Sequence, residues 1–131
     1  MSIEGIDNIG IAVRDLDRVA GFFADMLGLA VERDDEGEPR SATVHVGDRY
    51  LYVFETTGEL AGARREATLT ANAPGLDHVS FRVADVDAEA ARLRERGLEL
   101  DGEPQTVKAW GVRLVGLRDP EDNAYYLVQS V

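Results

Sequence analysis

The chain has 131 residues, 44% hydrophobic and 30% charged, which fits one compact soluble domain or two small halves sharing a core, not a disordered polymer. A formal net charge of −11 argues against a nucleic-acid partner, because phosphate binding needs clustered Lys and Arg and Lys108 is the only lysine. With no cysteine, disulfides, thiolate ligands and a cysteine nucleophile are excluded, and no apolar run approaches the roughly 20 residues that span a bilayer.

From Gly5 to Arg14, apolar Ile6, Ile9, Ile11 and Val13 stand among Asn8, Gly10 and Ala12, which predicts a strand with one face in a core. Asp15 is placed to cap a helix with Asp17 in its first turn. Val19, Phe22, Phe23, Met26 and Leu27 follow at helical spacing, and Gly28 is expected to close the helix in a left-handed turn. "SATVHV" and "RYLYVFET" then flank Gly47-Asp48, a two-residue hairpin signal. The stretch 57–74 has mixed polarity and little periodicity, and reads as a linker with a turn of helix.

The second half repeats the first. Leu76, Val79, Phe81 and Val83 predict a strand, Asp85 a cap, Val86, Ala90 and Leu93 a helix, and Gly97 its end. "GVRLVGLRD" and "NAYYLVQSV" flank a turn at Pro120-Glu121-Asp122. Asn8 and His78 are 70 positions apart, as are Asp15 and Asp85, so strand, cap and helix share one offset. The chain is therefore expected to be one α+β domain, 1–131, of two βαβββ modules, 1–56 and 75–131. Side by side they would curl into a cup-shaped, partly open mixed sheet with the helices outside.

Strand parity predicts what lines such a cup, since successive residues point to opposite faces. With Ile9, Ile11 and Val13 under the helix, Asn8, Gly10 and Ala12 face the cup, and by the repeat so do His78, Ser80 and Arg82. A two-residue turn pairs Val46 with Arg49, His45 with Tyr50 and Val44 with Leu51. If Leu51 and Val53 are core, then His45, Tyr50, Tyr52 and Phe54 face the cup. In the last strand Tyr125 and Leu127 are core, and Tyr126 and Val128 face the cup. Trp110 lies nearby on the loop before a strand. Both histidines and most of the larger aromatics thus fall around one expected cavity, the kind of place where small ligands bind.

The stretches "IDNIGIAVRDLDRVAGFFADMLGL", "LDHVSFRVADVDAEAARLRERGLEL" and "GLRDPEDNAYYLVQ" together resemble the vicinal oxygen chelate superfamily, which contains glyoxalase I, bleomycin resistance proteins, methylmalonyl-CoA epimerase and extradiol dioxygenases. Duplicated βαβββ modules are that family's architecture, and the resemblance covers essentially the whole chain. Its enzymes hold a divalent metal with one residue from the first and one from the last strand of each half, usually His, Glu or Gln. The matching positions here are Asn8, Tyr52, His78 and Tyr126.

A neutral amide is a poor ligand for Zn or Fe, and a phenol with a pKa near ~10 must lose its proton to bind well. The resemblance therefore implies a degenerate metal site, no required cofactor, and His78 kept as a polar group in an aromatic-lined pocket. One reading is a drug-sequestering binder of a small aromatic or cationic molecule, in a family whose binding members are commonly homodimers. A second is a metal-dependent lyase, isomerase or dioxygenase in which His78 recruits His45 and Tyr126. A third is a metal-free enzyme with His78 and Tyr126 as an acid–base pair. The acidity fits solubility, salt adaptation or attraction of a cation. With no basic region and apolar core at its N-terminus, the chain is expected to be cytoplasmic.

Overall fold

The computed structural model describes residues 5–58 and 76–131, and the chain forms two compact units, Met1–Glu59 and Leu60–Val131. The sequence linker at 57–74 falls almost wholly outside the described residues.

In the first unit, β1 (Asn8–Val13) leads to α1 (Leu16–Gly21), then β2 (Ala30–Asp34), β3 (Ser41–Val46) and β4 (Arg49–Glu55). In the second, β5 (His78–Arg82) leads to α2 (Val86–Glu95), then β6 (Leu100–Val107), β7 (Val112–Arg118) and β8 (Ala124–Ser130). The sheets are four-stranded, in the orders β1-β4-β3-β2 and β5-β8-β7-β6. The first strand of each pairs parallel with the last, and the other pairings are antiparallel. Each unit is therefore a βαβββ module with an open, mixed sheet, the α+β arrangement that the repeat predicts. Among the described residues no helix is long and apolar enough to cross a membrane.

Parity holds on both sheets. Leu51, Val53, Phe81, Tyr125 and Leu127 are buried on the faces that carry the helices, and the hairpin pairs Val46 with Arg49, His45 with Tyr50 and Val44 with Leu51. α1 packs on β3 and β4, and α2 on β6, β7 and β8. Asp15 and Asp85 cap the two helices, accepting from the Arg18 and Ala88 amides at 3.1 Å each. Gln129 Oε1 accepts the Val86 amide at 2.9 Å, satisfying a second free N–H at the start of α2. Gly28 and Gly97 take left-handed conformations (φ 68° and 90°) that end the helices, as their positions suggest.

Two expectations are corrected. The regular α-helix stops at Gly21, and Phe22–Met26 form a wider turn in which Leu27 N–H reaches back five residues to the Phe22 carbonyl at 3.2 Å. Consecutive side chains on an α-helix diverge by about 100°, yet Phe22 and Phe23 are both buried. The extra residue in the turn brings both rings inward, edge to face at 5.3 Å. Second, Ile6 and Leu76 do not belong to their strands. They precede the first paired residues, share parity with Asn8 and His78 rather than with the core, and are 68% and 87% exposed.

Ion pairs tie loops to helix starts. Arg33 and Arg40 both contact Asp17 and Asp35, at 2.6 to 3.1 Å, and Arg40 also reaches Glu55. The hydrogen bonds from Arg33, with Arg40 adding to them, hold the Asp17 and Asp35 carboxyls below the usual range. Arg113 on β7 grips both oxygens of Asp87 at 2.8 Å, fixing the first turn of α2 to the sheet.

Candidate functional site

Among the described residues a pocket of about 860 Å³ lies on the second unit, over the sheet face opposite α2. Cross-strand register lays out its floor in rows. One row runs Ser80, Tyr126, Gly116, Asp101 from β5 across to β6; the next runs Arg82, Val128, Leu114, Gln105. His78 lies before these rows on β5, and Trp110 lies beyond them on the short turn Lys108–Trp110 between β6 and β7.

His78 Nδ1 lies 2.8 Å from Asp77 Oδ2. A carboxylate only accepts, so Nδ1 donates to it, and in the neutral form of the ring Nε2 is the nitrogen that holds the lone pair. The imidazole meets the Tyr126 ring edge to face, with centroids 4.6 Å apart. Tyr126 is half-buried, and its phenol is pushed above the ordinary value, first by burial and then by the negative charges of Asp77 and Asp101, with Arg118 pulling the other way. It therefore stays protonated and can donate a hydrogen bond.

The acidic wall of the pocket is matched by cations. Asp101 faces Arg118 Nε at 3.3 Å, and Glu103 is held by Arg94 at 3.0 Å. Gly116 makes room for this wall: a Cβ there would sit 3.2 Å from Asp101 Oδ2 and 3.4 Å from Tyr126 Cε1.

At the turn into β8, Asp119 is 4% exposed and accepts from the amides of Glu121 and Asn123, the Asn123 side chain and the Tyr125 hydroxyl. Burial, then the Asp119 charge, pushes the Tyr125 phenol far above its ordinary range. This network fixes where β8, and with it Tyr126, begins.

Of the residues singled out from sequence, His78, Tyr126 and Trp110 line this pocket. Asn8, His45, Tyr50, Tyr52 and Phe54 lie on the first unit's sheet, all on the face opposite α1. There Asp7 Oδ2 accepts from the Asn8 amide at 2.9 Å and from the Tyr50 hydroxyl at 3.3 Å, Tyr52 and Phe54 stack at 5.6 Å, and His45 approaches Glu32 at 3.4 Å. Asp7 and Asp77 thus hold the side chains of Asn8 and His78 in the same way in both copies, a role legible in the repeat since both stand one position before. Asp101, Glu103 and Arg118 carried no such signal.

Three of the four positions implied by the resemblance, Asn8, Tyr52 and Tyr126, carry weak ligand types for a divalent metal. Of the four positions implied by the resemblance, Asn8 offers an amide already bonded to Asp7, and Tyr126 is held as a phenol. His78 alone is a good ligand type. Among the described residues no three His, Cys, Asp or Glu side chains are grouped to hold an ion.

The comparisons with known proteins agree with the architecture. The uncharacterized protein YraH of Bacillus subtilis (strain 168) is 29% identical over 117 residues, covering 88% of this chain and 90% of its own. Among solved structures, TnmS3, an antibiotic binding protein from Streptomyces sp. CB03234, is 25% identical with a TM-score of 0.72, covering 100% of this chain and 99% of its own. A glyoxalase family protein from Enterococcus faecalis has the same fold, with a TM-score of 0.79, 21% identity, and coverage of 98% and 100%. The family model described as Glyoxalase/Bleomycin resistance protein/Dioxygenase superfamily matches residues 7–115, and the chain belongs to that superfamily.

Proposed function

We propose that the two modules form one ligand-binding domain that captures a small, planar organic molecule without a metal, at the pocket of the second module. The observation that carries this reading is the roomy pocket walled by Tyr126, His78 and Trp110 over an apolar floor of Val128 and Leu114. Rings of this kind supply stacking area at low entropic cost. The antibiotic-binding relative TnmS3 supports binding as a use of this fold.

Trp110 is the chain's single tryptophan and is 61% exposed, so its emission reports on the pocket alone. With EDTA present, planar aromatic compounds are expected to change that emission saturably, with one-to-one heats by calorimetry. Trp110→Phe should silence the optical signal and weaken binding. A panel that gives neither saturable emission nor heat would contradict the proposal.

One contact favours a second reading, an acid–base enzyme. Asp77 fixes the His78 tautomer so that Nε2 is free to take a proton, while the Tyr126 phenol can donate to the oxygen that becomes negative. Turnover of a bound carbonyl compound, slowed in Asp77→Asn and His78→Gln alike, would favour this reading over simple capture.

A further inference from the structure

The acidity of the chain leaves attraction of a cationic ligand open among other readings, but the charges around the pocket favour the opposite sign. Its acidic lining groups lie on one side, on β6, where Asp101 is matched by Arg118 and Glu103 by Arg94, while Asp77, just before β5, is engaged by His78. On β5, at the other edge of the sheet, stands Arg82. Three inter-strand steps separate β5 from β6, about 14 Å at ordinary strand spacing. Among the described residues Arg82 makes no hydrogen bond or ion pair, and it is the one charged lining side chain of which that is true.

Resting on the pocket reading above, we propose that the second module's pocket selects an anionic planar molecule, with Arg82 as the anchor for its carboxylate or similar oxyanion. The row that starts at Arg82 continues through Val128 and Leu114 to the amide of Gln105. A flat apolar body fits over Val128 and Leu114, between the Tyr126 ring and Trp110, with its anionic end turned to β5. Ser80 lies next to Arg82 on the same face of β5 and supplies a hydroxyl donor to the same end. A guanidinium presents a planar fork that meets a carboxylate with two parallel hydrogen bonds, which a lone ammonium does not reproduce. A cation placed there would face a positive charge that no described residue compensates. On the β6 side it would have to displace Arg118 or Arg94 from an existing partner.

The test uses two probes of one shape and opposite charge, 2-naphthoate and 2-naphthylmethylammonium, titrated into the full chain in EDTA with Trp110 emission and calorimetry as readouts. Naphthoate is expected to bind at least about tenfold more tightly, the size of one charge-assisted hydrogen-bonded contact. The preference should shrink as salt is raised. Arg82→Gln should remove it by weakening naphthoate and by relieving the repulsion of the ammonium, and Arg82→Lys should restore only part. Arg82 is exposed on its strand, so these variants are expected to fold as the parent does. Equal binding of the two probes, tighter binding of the ammonium, or an unchanged preference in Arg82→Gln would overturn the charge assignment and leave the pocket reading standing. No binding of either probe would remove both.

Discussion

Asp119→Ala is expected to lower the unfolding free energy by about 3–4 kcal/mol, more than any other single polar replacement in the second module. The carboxylate is buried and accepts from two backbone amides, the Asn123 side chain and the Tyr125 hydroxyl at 2.8 to 3.1 Å. Alanine would leave those donors facing a void at the turn between β7 and β8. Asn would keep one accepting oxygen and lose the charge, so it should cost less. Tyr125→Phe removes a single donor from an acceptor that has others and should cost about 1–2 kcal/mol.

The same pair makes a prediction at high pH. Tyr125 is fully buried and its phenol is raised, so ionisation is far harder in the folded chain than in the unfolded one. Its stabilising contribution is complete below the unfolded pKa near ~10 and is lost progressively as pH climbs above that value. Chemical denaturation at pH 7 and at pH 11 should show a stability loss in the parent that is smaller in Tyr125→Phe. Equal losses in the two proteins would mean that Tyr125 does not carry the alkaline sensitivity.

Gly116→Val is expected to weaken ligand binding by about tenfold or more, since one or two extra carbons in a fitted pocket are worth that much. A Cβ at this position meets Asp101 Cβ and Oδ2 at 3.2 Å and Tyr126 Cε1 at 3.4 Å. The carboxylate can swing aside only by leaving Arg118, and the ring only by leaving His78. Valine suits a strand better than glycine, by up to about 1 kcal/mol, but overpacking costs about 1–3 kcal/mol and should win. Gly116→Ala should show a smaller loss of both affinity and stability. Binding by the Val variant that matches the parent would mean that the ligand does not use this floor.

Much of this fold was legible because the two halves repeat the same strand, cap and glycine stop. Burial of Leu51, Val53, Tyr125 and Leu127 follows from period-two alternation, and the Gly47-Asp48 turn sets the register of β3 on β4. The helical wide turn was not legible, because helical spacing tolerates Phe22 and Phe23 without saying that both must be buried.

β6 is the larger gap. Its sequence LDGEPQTV has no apolar alternation, carries a glycine at φ 88° and a proline, and its register with β7 shifts between Asp101 and Gln105. The acidic side of the pocket lies on this strand. Asp101 and Glu103 were therefore invisible to parity, as was their neutralisation by Arg118 and Arg94. The charge of the whole chain leaves the sign of a ligand open, whereas the local pairing leaves Arg82, among the described residues, as the uncommitted charged group of the lining.

The central claim is that this pocket works on an organic ligand with no metal between them. Its most direct test is metal analysis of the purified, untagged protein, followed by calorimetric titration with Zn(II), Ni(II), Co(II), Mn(II) and Fe(II). The residues at the four matched positions predict no stoichiometric uptake of any of these ions, and organic-ligand binding that is the same with and without EDTA. One ion bound per chain, lost in His78→Ala, would contradict the claim and make the protein a metal-dependent member of its superfamily.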